Sequence, residues 1–237
     1  MSVEDKKGTT QERIPEWESK LWDYLSSGDG LRCPIYSRCQ NRLSGSWCPS
    51  DNLGYIVQLL DDKQFAISAY DFMGESEGCG EVFQLVERLA QKYLQRAGVH
   101  CPPVPTEIIS LADKQHPIEV RLVPLKIYHG AIWYLKGGWI IQLNENDTLA
   151  RRRFVLFHEA FHILAHHRAP TVVFKKRERV EGSFNELLAD HFAGSILMPR
   201  EWVEKKWAVG EDLDGMAKIF DVPRSLIWLR LREIGLV

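Results

Sequence analysis

The stretch His158-Glu159-Ala160-Phe161-His162 places two imidazoles four residues apart, with a carboxylate directly after the first. On a helix, positions i and i+4 are neighbours about 6 Å apart, so both rings reach one Zn²⁺ at bonds of roughly 2.0–2.1 Å. Glu159 follows at about 100° round the helix. It is poorly placed to complete the same ligand set and well placed to take a proton from a water molecule at the ion. The order His-Glu-x-x-His is the arrangement of zinc hydrolases.

The flanking residues predict a helix over 148–167. Asn144, Asn146, Asp147 and Thr148 are N-cap candidates, and Phe154, Phe157, Phe161 and Leu164 form a helical stripe. Val155, Leu156, Ile163 and Ala165 make its later part apolar nearly all round, as in a buried helix. Two histidines and a glutamate in such surroundings need partners, because an unpaired buried carboxylate costs several kcal/mol. A metal ion supplies that partner; the competing reading is a pair of satisfied core histidines beside a surface glutamate.

Two histidines do not complete a zinc site. His166 lies eight residues after His158, about 12 Å along the axis at 1.5 Å per residue, too far to share the ion. The third ligand therefore belongs to another element. Ser183-Phe184-Asn185-Glu186 opens a second run, Leu187, Leu188, Ala189, Phe192, Ala193, Ile196 and Leu197, which keeps helical spacing and stops at Pro199. Glu186 and Asp190 share one face of it. A glutamate ligand with an aspartate one turn on, receiving the N–H of a ligating imidazole, suits such a centre. Ser183 and Glu186 also read as a capping box. Coming 24 residues after His162, Glu186 reads better as the ligand.

Taken together, these segments resemble the ImmA/IrrE-type metallopeptidases. The resemblance rests on Arg152-Arg153-Phe154 leading into His158-Glu159-x-x-His162, on His166, and on Glu186-x-x-Ala189-Asp190-x-Phe192-Ala193-x-x-Ile196-Leu197-Met198-Pro199. A short helix, an extended Ile118–Pro124 stretch and a strand ending at Asn144 precede these in the family's order. It implies an α+β fold with a zincin-like metallopeptidase core. It also implies Zn²⁺ as cofactor on His158, His162 and Glu186, with Glu159 as general base. Family members are zinc peptidases, several of which cut or control repressor proteins in stress responses or mobile elements. The implied activity is zinc-dependent hydrolysis of peptide bonds in a protein substrate, with a DNA-binding transcriptional repressor as candidate. The alternative is a non-cleaving, zinc-containing regulatory module that binds a protein partner; intact Glu159 favours catalysis.

Ala131–Leu135 and Trp139–Leu143, joined by Lys136-Gly137-Gly138, read as a hairpin. One of its strands is a candidate edge for aligning an extended substrate, although an ordinary core hairpin fits equally well. Tyr128, His129 and His167 are unranked candidates for stabilising an oxyanion.

The 237 residues, 45% hydrophobic, suffice for one large domain or two small ones. The polar opening 1–20 carries no signal-like apolar core and no run of 18 apolar residues occurs, so the expectation is a cytoplasmic protein. With 30 basic and 32 acidic residues, the charge gives no global pull toward nucleic acid. Three parts are expected: an accessory, mainly helical region 1–99, a metallopeptidase-like domain 100–200, and a helix-turn-helix-like segment 201–237. The first includes helices over 15–26 and 82–96, the latter stopped by Gly98. Cys33, Cys39, Cys48 and Cys79, at spacings x5, x8 and x30, are candidates for a second metal without a compact knuckle pattern. Lys175, Lys176, Arg177 and Arg179 mark a basic loop. In the C-terminal segment Asp221 stands where a turn glycine is usual. On its second helix the expected exposed bases are limited to Arg224, Arg230 and Arg232, and the resemblance implies a structural or protein-contacting role for this segment rather than DNA binding.

Overall fold

Amphipathic periodicity and turn chemistry determine most of the element boundaries. The computed structural model describes residues 14–27, 79–126, 128–168 and 184–237. Cys33, Cys39, Cys48, the Cys79 side chain and the basic loop with Lys175 to Arg179 lie outside them.

Helix α1 (Glu16–Ser27) buries Leu21, Trp22 and Leu25 against α2 (Cys79–Ala97), whose stripe of Val82, Val86, Leu89 and Tyr93 is buried as expected. Lys92 donates to the buried Glu18 carboxylate across this contact. Gly98, at φ 65°, ends α2 with Val99 N–H donating to Leu94 O at 3.0 Å, one of the bonds of a left-handed helix stop. A 3₁₀ turn (Thr106–Leu111) then leads to a sheet of β1 (Ile118–Val123), β2 (Gly130–Leu135) and β3 (Gly138–Asn144).

The strand order is β1-β3-β2, with β1 parallel and β2 antiparallel to β3. The hairpin is thus real, and β2 is its edge while β3 is central. Alternation puts Trp139, Ile141 and Leu143 on one face, all buried. Trp139 Nε1 and His116 Nδ1 both bond the buried Asp113 Oδ2 at 2.8 Å, tying the end of the 3₁₀ segment to β3.

Helix α3 (Leu149–Arg168) packs against β2 and β3, and α4 (Phe184–Leu197) lies between α3 and α2. Its Phe192 meets Phe161 of α3 at 5.5 Å and Tyr93 of α2 at 6.2 Å between ring centroids. Three helices follow: α5 (Arg200–Ala208), α6 (Leu213–Phe220) and α7 (Arg224–Glu233). Asp221 does adopt the left-handed conformation, φ 53° and ψ 53°, at the end of α6. Arg153 of α3 holds this turn through the Asp221 carbonyl at 3.1 Å and carboxylate at 3.0 Å, and donates to Val104 O at 2.7 Å. The expectation of an exposed Arg230 is corrected: its side chain is 2% exposed, drawn inward by Glu233 on its own helix and by acceptors on two other segments. The result is a mixed α+β architecture. No helix among the described residues is long and apolar enough to cross a membrane.

Candidate metal centre

Of the expected N-cap candidates, Thr148 takes the role at α3. Its Oγ1 accepts from Arg151 N–H at 3.2 Å and its carbonyl from Arg152 N–H at 2.9 Å. Asn144 is used otherwise, donating to Leu125 O and Tyr128 O, and Asp147 bonds His129 Nδ1 at 2.8 Å. The start of α3 thereby sets which face the motif presents.

From that face His158 Nε2 and His162 Nε2 approach to 3.2 Å. Glu186, from α4, brings Oε2 to 3.2 Å from His158 Nε2 and Oε1 to 3.4 Å from His162 Nε2. Two ligands on a tetrahedral ion with bonds of roughly 2.0–2.1 Å stand about 3.3 Å apart. The three donor groups match that spacing, and among the described residues they form a set able to hold a metal ion. Asp190, one turn after Glu186, accepts from His158 Nδ1 at 2.7 Å, which leaves Nε2 turned toward the other donors. Burial alone would lower the His158 pKa, yet Asp190 and Glu186 raise it well above the usual imidazole value. The two carboxylates thus favour positive charge at this position.

Glu159 is 2% exposed, and its Oε2 has no hydrogen-bond partner among the described residues. An orphaned buried carboxylate oxygen is costly, and here it lies one residue from His158. Directly over Glu159 passes β2: a Cβ added at Gly130 would stand 2.8 Å from Glu159 Oε1 and 2.4 Å from Val155 Cγ1. Only glycine allows that approach. The bond from Asn144 N–H to His129 O, 2.9 Å, marks those residues as a hydrogen-bonded pair, so the next pair, Gly130 with Leu143, is non-hydrogen-bonded. Gly130, Ile132 and Tyr134 accordingly turn their backbone N–H and C=O groups to the outer edge of β2.

The remaining expected residues are placed elsewhere. His166 packs on Trp139, ring centroids 5.1 Å apart, away from the three donors as its distance along the helix required. His129 commits Nδ1 to Asp147, and the His167 side chain and Ser183 lie outside the described residues. Sequence reasoning missed Gly130, since an isolated glycine at a strand start signals nothing about what passes beneath it.

A model of the IrrE N-terminal-like domain, a peptidase family, matches residues 113–232, which span the sheet, both helices of the site and most of the C-terminal helices. The chain belongs to this family. Peptidases of the IrrE N-terminal-like family are generally metal-dependent, which agrees with the donor set described above. The chain is 32% identical over 117 residues to the uncharacterized immunity region protein 2 of Bacillus phage phi105, covering 48% of this chain and 73% of that protein. A solved Mycobacterium tuberculosis transcriptional regulator aligns over 92% of this chain at 14% identity and a TM-score of 0.46. This chain spans about half (52%) of that regulator's length.

Proposed function

We propose that this IrrE-like protein is a zinc-dependent endopeptidase that hydrolyses a peptide bond in a protein substrate. The observation carrying this reading is the convergence of the His158, His162 and Glu186 donors beside the buried, unpartnered Oε2 of Glu159. His158, His162 and Glu186 would hold the metal. A bound zinc supplies Lewis-acid polarisation of the peptide carbonyl and acidifies water toward neutrality. Glu159 then takes the proton from water at its free oxygen and passes it to the leaving amine. Asp190 keeps His158 in the tautomer with Nε2 unprotonated. The edge of β2 aligns the substrate as an added strand through Gly130, Ile132 and Tyr134, a mode that suits an extended segment of a protein.

The α3–sheet–α4 unit is read as a zincin-like core within residues 100–200. Residues 1–99 form an accessory region, and 201–237 a helix-turn-helix-like segment with a packing role. The phage relative is named for an immunity region. By extension, the favoured substrate is a cytoplasmic DNA-binding repressor of a mobile-element or stress response.

Glu159→Gln keeps the side-chain shape and removes the proton acceptor, so it should retain zinc and fold while losing about 10²- to 10⁴-fold in proteolytic rate. New protein N-termini are compared in cells producing the native or the Glu159→Gln protein, with and without DNA damage. Termini dependent on Glu159 identify the substrate; equal termini in both reject catalysis through Glu159. No new termini in either, despite bound zinc, favours the non-cleaving binding module.

A further inference from the structure

Helix α4 carries Glu186 and Asp190 on one side, and its other side is held by a buried polar junction. His191 Nε2 bonds Phe83 O of α2 at 3.1 Å, Ser195 Oγ lies 3.5 Å from the same nitrogen, and His191 Nδ1 lies 4.0 Å from Glu233 Oε1 of α7. Arg230 of α7 donates Nε to Met198 O, seven residues after His191 and just beyond the end of α4, at 3.0 Å. Its other nitrogens reach Glu233 Oε2 at 2.7 Å and Glu87 Oε1 of α2 at 2.5 Å. The guanidinium fork thus joins α2, the end of α4 and α7 in three fixed directions, which no other side chain can do.

We infer that Arg230, with Glu87 and Glu233, is a positioning element for the metal centre: it sets the rotation and axial register of α4, and through them the place of Glu186 against His158 and His162. This rests on the reading of those three residues as zinc ligands. The magnitudes favour it. A helix with side chains is about 10–12 Å across, so a turn of roughly 10° about its axis carries a carboxylate at its surface about 1 Å. Ligand distances tolerate about 0.2 Å. The two grips, at His191 and Met198, stand about 10 Å apart along the axis, enough to resist rotation and sliding together. Exchange of the whole charged junction for apolar residues of similar size is often neutral for stability. Positioning and stability are therefore separable by experiment.

The test uses the full chain with four changes: the triple variant Glu87→Leu, Arg230→Met, Glu233→Leu; Arg230→Lys, which keeps the charge but not the fork; Ile227→Ala, an apolar truncation on α7; and His162→Ala. Zinc affinity is measured by chelator competition at a temperature where circular dichroism shows each metal-free protein folded, and Co²⁺-loaded protein is examined by visible absorption. The triple variant should bind zinc about 10- to 100-fold more weakly, the range seen when support for a ligand is removed, with altered Co²⁺ bands. Arg230→Lys should fall between it and the parent. Ile227→Ala should melt earlier and keep parental affinity and bands. Parental affinity and bands in the triple variant overturn the inference, as does an equal affinity loss in Ile227→Ala. If the triple variant does not fold, Arg230→Lys decides by the same two readouts. A parent that binds no zinc, or binds it equally in His162→Ala, overturns the proposed function instead.

Discussion

The two sides of α4 both gather charge, and they differ in completeness. On the side facing α3, Glu186 and Asp190 remain 41% and 38% exposed, two imidazoles converge on one carboxylate, and the buried Glu159 Oε2 has no donor among the described residues. On the opposite side, Arg230 is 2% and Glu233 12% exposed, and the guanidinium is bonded through all three nitrogens. The Arg230 charge on this closed side is thus spent on holding helices together. The open side facing α3 keeps a convergent donor set and a buried carboxylate oxygen that a cation and a proton would satisfy.

After Glu159→Gln, the largest effect expected from disturbing the open side without touching a metal donor is that of Gly130→Ala. The added methyl would stand too close to both Val155 Cγ1 and Glu159 Oε1, so both must give way. A shift of about 1 Å at reacting groups costs on the order of 10²-fold in rate, while overpacking costs roughly 1–3 kcal/mol of stability. Peptidase assay beside zinc analysis checks it; a parental rate would show that the close approach of β2 to Glu159 is dispensable. Asp190→Ala should come next, weakening zinc binding roughly 10- to 100-fold in a chelator competition. Its melting temperature should hardly move. Unchanged affinity would place Asp190 among ordinary surface charges and narrow the open set to four residues.

On the closed side the expected effect is smaller and appears in stability against pH. Burial would raise the Glu233 carboxyl, but His191 and Arg230 bring it below its ordinary 4.5. A depressed carboxylate stabilises the fold above its unfolded value and loses that contribution as pH falls from there through the folded value. Glu233→Gln should therefore be less stable at neutral pH, and its stability should fall less steeply than the parent's below pH 4.5. Urea unfolding across that range measures the slope. Parallel curves would mean that Glu233 is not the acid-sensitive member of the junction.

Legibility followed distance along the chain. The α3 and α4 helices were readable within one or two residues of their ends, because Thr148 caps and Pro199 stops them locally. Gly98 and Asp221 were recognisable as turn residues for the same reason, their backbone conformation being a property of the residue itself. Arg230 was misread as exposed. An arginine in the last turns of a helix is usually solvated, and nothing nearby in sequence announces Glu87, 143 residues earlier, as its partner.

The sequence by itself determined the pairing of His158 with His162 and the offset of Glu159, since helical periodicity alone aims side chains four residues apart to the same face. It also marked Glu186 and Asp190 as a second such pair. Tertiary structure decided what periodicity cannot express: that Glu186 spans both imidazoles, that β2 rather than β3 is the free edge, and that Gly130 lies against the glutamate. It alone closed the reverse of α4 around Arg230. The physical reason is that repeat geometry along one helix is local, whereas desolvation and close approach depend on which distant elements the core brings together.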